Sequence, residues 1–186
     1  MNELDLIDGC KKKDPRCQKV LFTTYAPKML GVCRRYVDNM DAAEDILQEG
    51  FIKIFQKIHT YTGEGAFGGW IRRIFVTTAL EYLRQNKAMR FNVSIDEVND
   101  IQTDPGISAL SRLTVDDLMK CISELPAGYR TVFNLYAIEG YSHQEIAEML
   151  DIKENSSQSQ LARARKVLQE KVQAITRSDY ASQGNK

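Results

Sequence analysis

The sequence predicts an all-α protein, two small helical domains joined by a flexible acidic linker, the C-terminal one containing a helix-turn-helix. Three observations predict it. Apolar residues recur at helical spacing on both sides of the middle of the chain, and no Val/Ile-rich alternation marks a strand. Residues 91–108, FNVSIDEVNDIQTDPGIS, hold Asp-Pro-Gly, scattered small polar residues and no sustained apolar period, which is linker chemistry. Residues 142–168 set two helical runs on either side of a tight break. The expected boundaries are a first domain over 1–88, a linker over 89–112, a second domain over 113–175 and a polar, disordered tail over 176–186.

Composition narrows the function classes. Of 186 residues, 43% are apolar and 27% charged, as in ordinary soluble globular chains. No apolar run approaches a membrane span, the first residues do not form a signal peptide, and the expected location is the cytoplasm. Cys10, Cys17, Cys33 and Cys121 form no CxxC pair, and with only His59 and His143 beside them no zinc pattern appears. Net charge is zero but unevenly spread. Residues 1–88 carry 14 basic and 11 acidic side chains, residues 89–117 two and six, and residues 118–186 nine and eight.

In chain order, residues 16–37 form a helix bent or divided near Pro27. Asp41 reads as an N-cap with Glu44 three residues on. Leu47, Phe51, Ile54, Phe55 and Ile58 then repeat at helical spacing and should face a core. On the other side Asp45, Gln48, Glu49, Ile52 and Gln56 repeat at i, i+3, i+4, i+7 and i+11. Ile52 is the odd member of that polar stripe. A glycine-rich loop with aromatics follows, TYTGEGAFGGW, without a phosphate-binding pattern. A helix is predicted from about Phe67 to Lys87.

After the linker, helices are predicted near 114–124, 126–138, 142–149 and 155–174. Pro126 suits a first helical turn, and Ser142 with Glu145 makes a capping box. Residues 151–154 are the break, and Asn155 or Ser156 caps the next helix. Counting back from Leu168 and Leu161 puts Ala164 and Ser157 on the buried side. Gln158, Ser159, Ala162 and Arg163 then project to the open side, with Gln160 at their flank. In a helix-turn-helix the second helix enters the major groove with its first residues against base edges. Gln, Ser and Arg are side chains suited to that readout. Ser156 belongs to the same helix start, and Arg163, Arg165, Lys166 and the helix N-terminus suit phosphates.

Three segments in order resemble a bacterial family. DAAEDILQEGFIKIF (41–55), FGGWIRRIFVTTALEYLR (67–84) and the stretch from Leu125 to Leu168 are similar to the extracytoplasmic-function (ECF) sigma factors of RNA polymerase. The resemblance implies that Asp45, Gln48, Glu49 and Ile52 dock on core polymerase. It implies that the loop 60–67, with Tyr61, Thr62 and Phe67, and Arg72, Arg73, Thr77 and Arg84 capture the unpaired −10 strand. Trp70 is expected in the core. Ser156, Gln158, Ser159, Gln160, Ala162, Arg163, Arg165 and Lys166 would meet the duplex −35 element. The family also implies an anti-sigma partner, often membrane-bound.

The chain departs from the usual family pattern at Ser157, commonly a β-branched apolar residue, and at Gln158 and Gln160, often basic. Thr77 stands for Asn, Glu81 for Asp, and Gly50 for a small hydroxyl or apolar residue. Replacing Lys or Arg by Gln shifts preference away from guanine and phosphate. An autonomous helix-turn-helix regulator is the alternative. It leaves the stripe at 45–56 and the loop-Trp helix without a role, and unaided DNA binding favours a net basic surface. No catalytic constellation, metal site or cofactor motif emerges, so neither enzyme activity nor a small-molecule substrate is expected.

Overall fold

The computed structural model describes residues 2–86 and 114–183, with side chains to Arg177. Among the described residues all regular structure is helical, and the chain divides into two compact units, Met1–Ala88 and Met89–Lys186.

The first unit is built from four helices. α1 (Glu3–Lys11) is capped by Asn2, and α2 (Pro15–Cys33) by Asp14, whose Oδ1 accepts from the Arg16 amide at 2.8 Å. α2 is one continuous helix through Pro27 rather than two. Pro27 deprives the Thr23 carbonyl of its helical donor, but both residues lie on the exposed side, where solvent can supply one. α3 (Met40–Lys57) ends in a 3-10 turn, Ile58–Thr60, and α4 (Phe67–Gln85) follows the glycine loop.

Two expectations for α3 change. Its cap is Asn39, whose Oδ1 accepts from the Ala42 amide at 2.7 Å, while Asp41 lies in the first turn. Its core face centres on Ala43, Ile46, Gly50, Phe51 and Ile54, all buried, leaving Leu47 and Phe55 half-buried. The reason is Gly50. A Cβ there would lie 2.2 Å from Phe75 Cε1 on α4, so only a glycine lets the two helices meet at this level. The ring of Phe75 fills the space and packs edge-on against Phe51, centroids 5.3 Å apart. Leu21, Cys33, Tyr36, Ile71 and Val76 complete this core.

The first helix of the second unit among the described residues is α5 (Val115–Ser123), capped by a reciprocal Thr114–Asp117 box. The helix expected over 126–138 appears as α6 (Ala127–Phe133) with Pro126 at its cap, running into a π turn, Asn134–Ile138. α7 (His143–Leu150) has the Ser142–Glu145 capping box foreseen from the sequence. Asp151 closes α7 in the left-handed conformation, φ 54°, a position that short polar side chains tolerate. α8 runs from Glu154 to Gln183. The expected tail from 176 is therefore helical over 176–183. Val132, Leu135, Ile146, Leu150, Leu161 and Ala164 form the core, and Lys171 on α8 ties to Glu124 at the end of α5, Nζ to Oε2 2.6 Å.

Candidate partner and nucleic-acid surfaces

The polar stripe of α3 lies on the side of that helix away from Gly50. Asp45, Gln48, Glu49, Ile52 and Gln56 are all exposed, and Ile52 keeps 50% of its surface open. Ile52 is thus the one apolar member of an otherwise polar, solvated face.

The loop after α3 is shaped by its aromatics. Tyr61, Phe67 and Trp70 form one cluster with centroid separations of 5.0, 5.5 and 5.8 Å, and Tyr25 meets Phe67 edge-on. The Tyr61 hydroxyl donates to the Gly65 carbonyl at 2.8 Å, and Lys11 Nζ donates to the Tyr61 carbonyl at 3.0 Å. Gly63 and Gly65 turn the chain at φ 90° and 77°, values only glycine adopts freely.

Two candidates from the sequence thus lie inside the unit. Tyr61 and Phe67 keep only 7% and 1% of their surface, so their rings hold the loop instead of offering a face to a base. Pattern alone could not separate them from Trp70, expected in the core but half-buried with part of its indole open. Thr62, Arg73 and Arg84 are exposed, and Arg72 and Thr77 are half-buried. The Thr77 hydroxyl bonds back to the carbonyls of Arg73 and Ile74 at 3.0 and 2.9 Å.

In the second unit α7 and α8 form the helix-turn-helix. The first helical bond of α8 runs from the Ser157 amide to the Lys153 carbonyl, 3.2 Å. Lys153 therefore stands at the cap, and Asn155 and Ser156 lie in the first turn. Ser157 and Ala164 are fully buried, as helical counting requires. The Ser157 hydroxyl has a specific partner, His143 Nδ1 at 2.9 Å, and the imidazole stacks on Tyr136, centroids 4.5 Å apart. Burial pushes the His143 pKa below its ordinary value; Glu154 opposes this and Arg165 reinforces it. A hydroxyl where the family usually has an apolar side chain is thus satisfied by a neutral histidine.

Gln158 and Lys166 are exposed, and Ser156, Ser159, Ala162 and Arg163 half-buried. Ser159 Oγ donates to its own helix at the Asn155 carbonyl, 2.8 Å. The guanidinium of Arg165 lies over the ring of Tyr136, 5.8 Å from its centroid, which aims it along the edge of the motif. Gln160 is corrected. Expected at the flank of the readout face, it keeps only 8% of its surface. It lies three residues after Ser157 and four before Ala164, which continues the buried stripe and takes it off the open side.

Among the described residues no group of three or more His, Cys, Asp or Glu is placed to hold a metal ion, and no helix is long and apolar enough to cross a membrane. The four cysteines are buried thiols.

Comparison with known proteins fits these two units. The Sigma-70 region 2 family model matches residues 21–89, and the Sigma-70, region 4 model matches residues 116–168. The ECF RNA polymerase sigma-E factor of Haemophilus influenzae is 30% identical over 184 residues, covering 91% of this chain and 95% of that one. Those of Salmonella typhimurium LT2 and Escherichia coli K12 are 28% identical over 182 residues, covering 92% and 95%. The chain belongs to the ECF RNA polymerase sigma factors. Two solved structures share its fold. One is the sigma factor RpoE in complex with the anti-sigma factor NepR from Bartonella quintana, with TM-score 0.52, 21% identity, and coverage of 83% of this chain and 96% of that one. The other is CnrH in complex with the cytosolic domain of CnrY, with TM-score 0.50, 18% identity, and coverage of 91% and 96%.

Proposed function

We propose that this chain docks on core RNA polymerase through the outward stripe of α3, reads the duplex −35 element with the start of α8, and captures the unpaired −10 strand with the loop before α4 and with α4 itself. The observation that carries this reading is the pairing, in one chain, of a helix-turn-helix with a unit whose α3 exposes Ile52 among Asp45, Gln48 and Glu49. An autonomous regulator would use only the second unit.

On this reading the −10 contacts fall to Thr62, Trp70, Arg72, Arg73, Thr77 and Arg84, with Tyr61 and Phe67 shaping the loop. An unpaired base stacks on an open ring and its phosphates meet cations. The −35 contacts fall to Ser156, Gln158, Ser159, Ala162 and Arg163 for base edges, and to Arg165 and Lys166 for phosphates. The acidic segment 89–112 is a tether between the units. The protein performs no chemistry of its own; it works in the cytoplasm beside the polymerase, and an anti-sigma protein holds it inactive between signals.

The test is reconstitution. Core polymerase with the full chain should transcribe a promoter carrying its −35 and −10 elements. Asp45→Arg with Glu49→Arg should lower core affinity and change its salt dependence with the thermal melt unchanged, because both carboxylates are exposed on a solvated face. Unchanged affinity and unchanged salt dependence would reject the docking face.

A further inference from the structure

Arg73, Thr77, Glu81 and Arg84 succeed one another on α4 at i, i+4, i+8 and i+11, so they share one face of the helix. Glu81 is out of place in that stripe. A carboxylate between two arginines repels the phosphates that the arginines attract. Its charge is met from another helix. Lys53 on α3 reaches across with Nζ 2.5 Å from Glu81 Oε2, 3.4 Å from Thr78 Oγ1 and 3.6 Å from Glu49 Oε1. The Lys53 side chain is 20% exposed, against 50% for Glu81, so the ammonium is held between the two helices rather than free in water.

We infer that Lys53 is a positioning residue for promoter opening. It neutralises and pins Glu81 so that the carboxylate no longer offsets one of the two arginines that the α4 stripe presents to a single strand. It also links that stripe to Glu49 on the polymerase-facing helix. The inference rests on the assignment of α4 to the −10 strand. Lys53 does not itself touch DNA; it acts through Glu81.

The experiment uses holoenzyme reconstituted with full-length variants, with 2-aminopurine fluorescence in the −10 element reporting strand opening. Core affinity and the thermal melt are measured alongside. Lys53→Met keeps the stem of the side chain and removes its charge. It should slow opening roughly three- to sevenfold, the size expected of one uncompensated charge a few ångströms from a phosphate across a solvated surface. The salt slope of the opening step should also fall by about 0.7, the single-strand value for one charge. Glu81→Gln alone should open at the wild-type rate or faster. The double variant should return to near wild type, which a merely structural lysine would not do. Lys53→Met at the wild-type rate, or a double variant as slow as Lys53→Met, would overturn the inference. So would a loss accounted for wholly by core affinity or by the thermal melt. Arg73→Ala separates the two levels. If it opens normally, the assignment of α4 to the −10 strand fails and the Lys53 inference with it. If it is impaired while Lys53→Met is not, only the Lys53 inference fails.

Discussion

Gly50→Ala should destabilise the first unit although alanine is the better helix former. In the interior of an exposed helix the exchange stabilises by about 1 kcal/mol. Here the new methyl carbon would meet Phe75 Cε1, Cδ1 and Cζ at 2.2, 2.6 and 2.8 Å, closer than carbon atoms approach. The ring has little room to retreat, since Phe75 is fully buried and lies against Phe51. Relief needs α3 and α4 to separate or the ring to leave its rotamer, an overpacking cost of about 3 kcal/mol. The net loss is about 2 kcal/mol, which for a unit of this size lowers its melting temperature by roughly 8–16 °C. The chain's single tryptophan, Trp70, belongs to the first unit, so its fluorescence follows that unit's unfolding within the full protein. Phe75→Leu in the Gly50→Ala background should be less destabilising than the sum of the two single changes, because the second relieves the clash made by the first. A melting temperature at or above wild type for Gly50→Ala, or strict additivity in the double variant, would refute this account of the α3–α4 contact.

The remaining predictions concern the second unit. Arg163→Ala should cost about 1–3 kcal/mol of discrimination at one −35 position if the guanidinium reads a guanine edge; a loss uniform across promoter variants, with a salt slope lower by about one, assigns it to phosphate instead. Gln158→Arg should move preference from adenine toward guanine without loss of helix, measured by transcription from promoter variants. His143 titrates below its ordinary value in the folded state, so the unfolded chain binds the proton more readily. Its contribution to stability is then present above the unfolded imidazole value near 6.5 and lost as pH falls through the lower folded value. Denaturant unfolding of the second unit should show that decline below about pH 6.5, and His143→Gln should flatten it.

Local chemistry made much of the molecule legible in the sequence. The Ser142–Glu145 capping box needs only four consecutive residues. Helical counting alone buried Ser157 and Ala164 and placed Asp45, Gln48, Glu49 and Ile52 on one open face. These are properties of a single helix, decided by its period and its ends. What one helix meets on another was not legible. A hydrophobic pattern assigns no weight to glycine, so it missed Gly50 as the point where α4 approaches and set the core face of α3 one residue off, on Leu47 instead of Ile46. It had no means of telling Tyr61 and Phe67, which pack on each other, from Trp70, which stays partly open. Asn39 and Asp41 are equally good caps by residue type, and only the path of the chain into α3 chose Asn39. The roles of Lys53 with Glu81, and of His143 with Ser157, likewise arise only when residues 28 and 14 positions apart are brought together. By itself the sequence determined where most of the helices lie, though neither α1 nor the last turns of α8, and which face of most of them is wet, because those follow from backbone hydrogen bonding and a 3.6-residue period. Tertiary structure alone decided which side chains hold the loops and which carboxylates are neutralised, because those depend on distances across helices that no local period encodes.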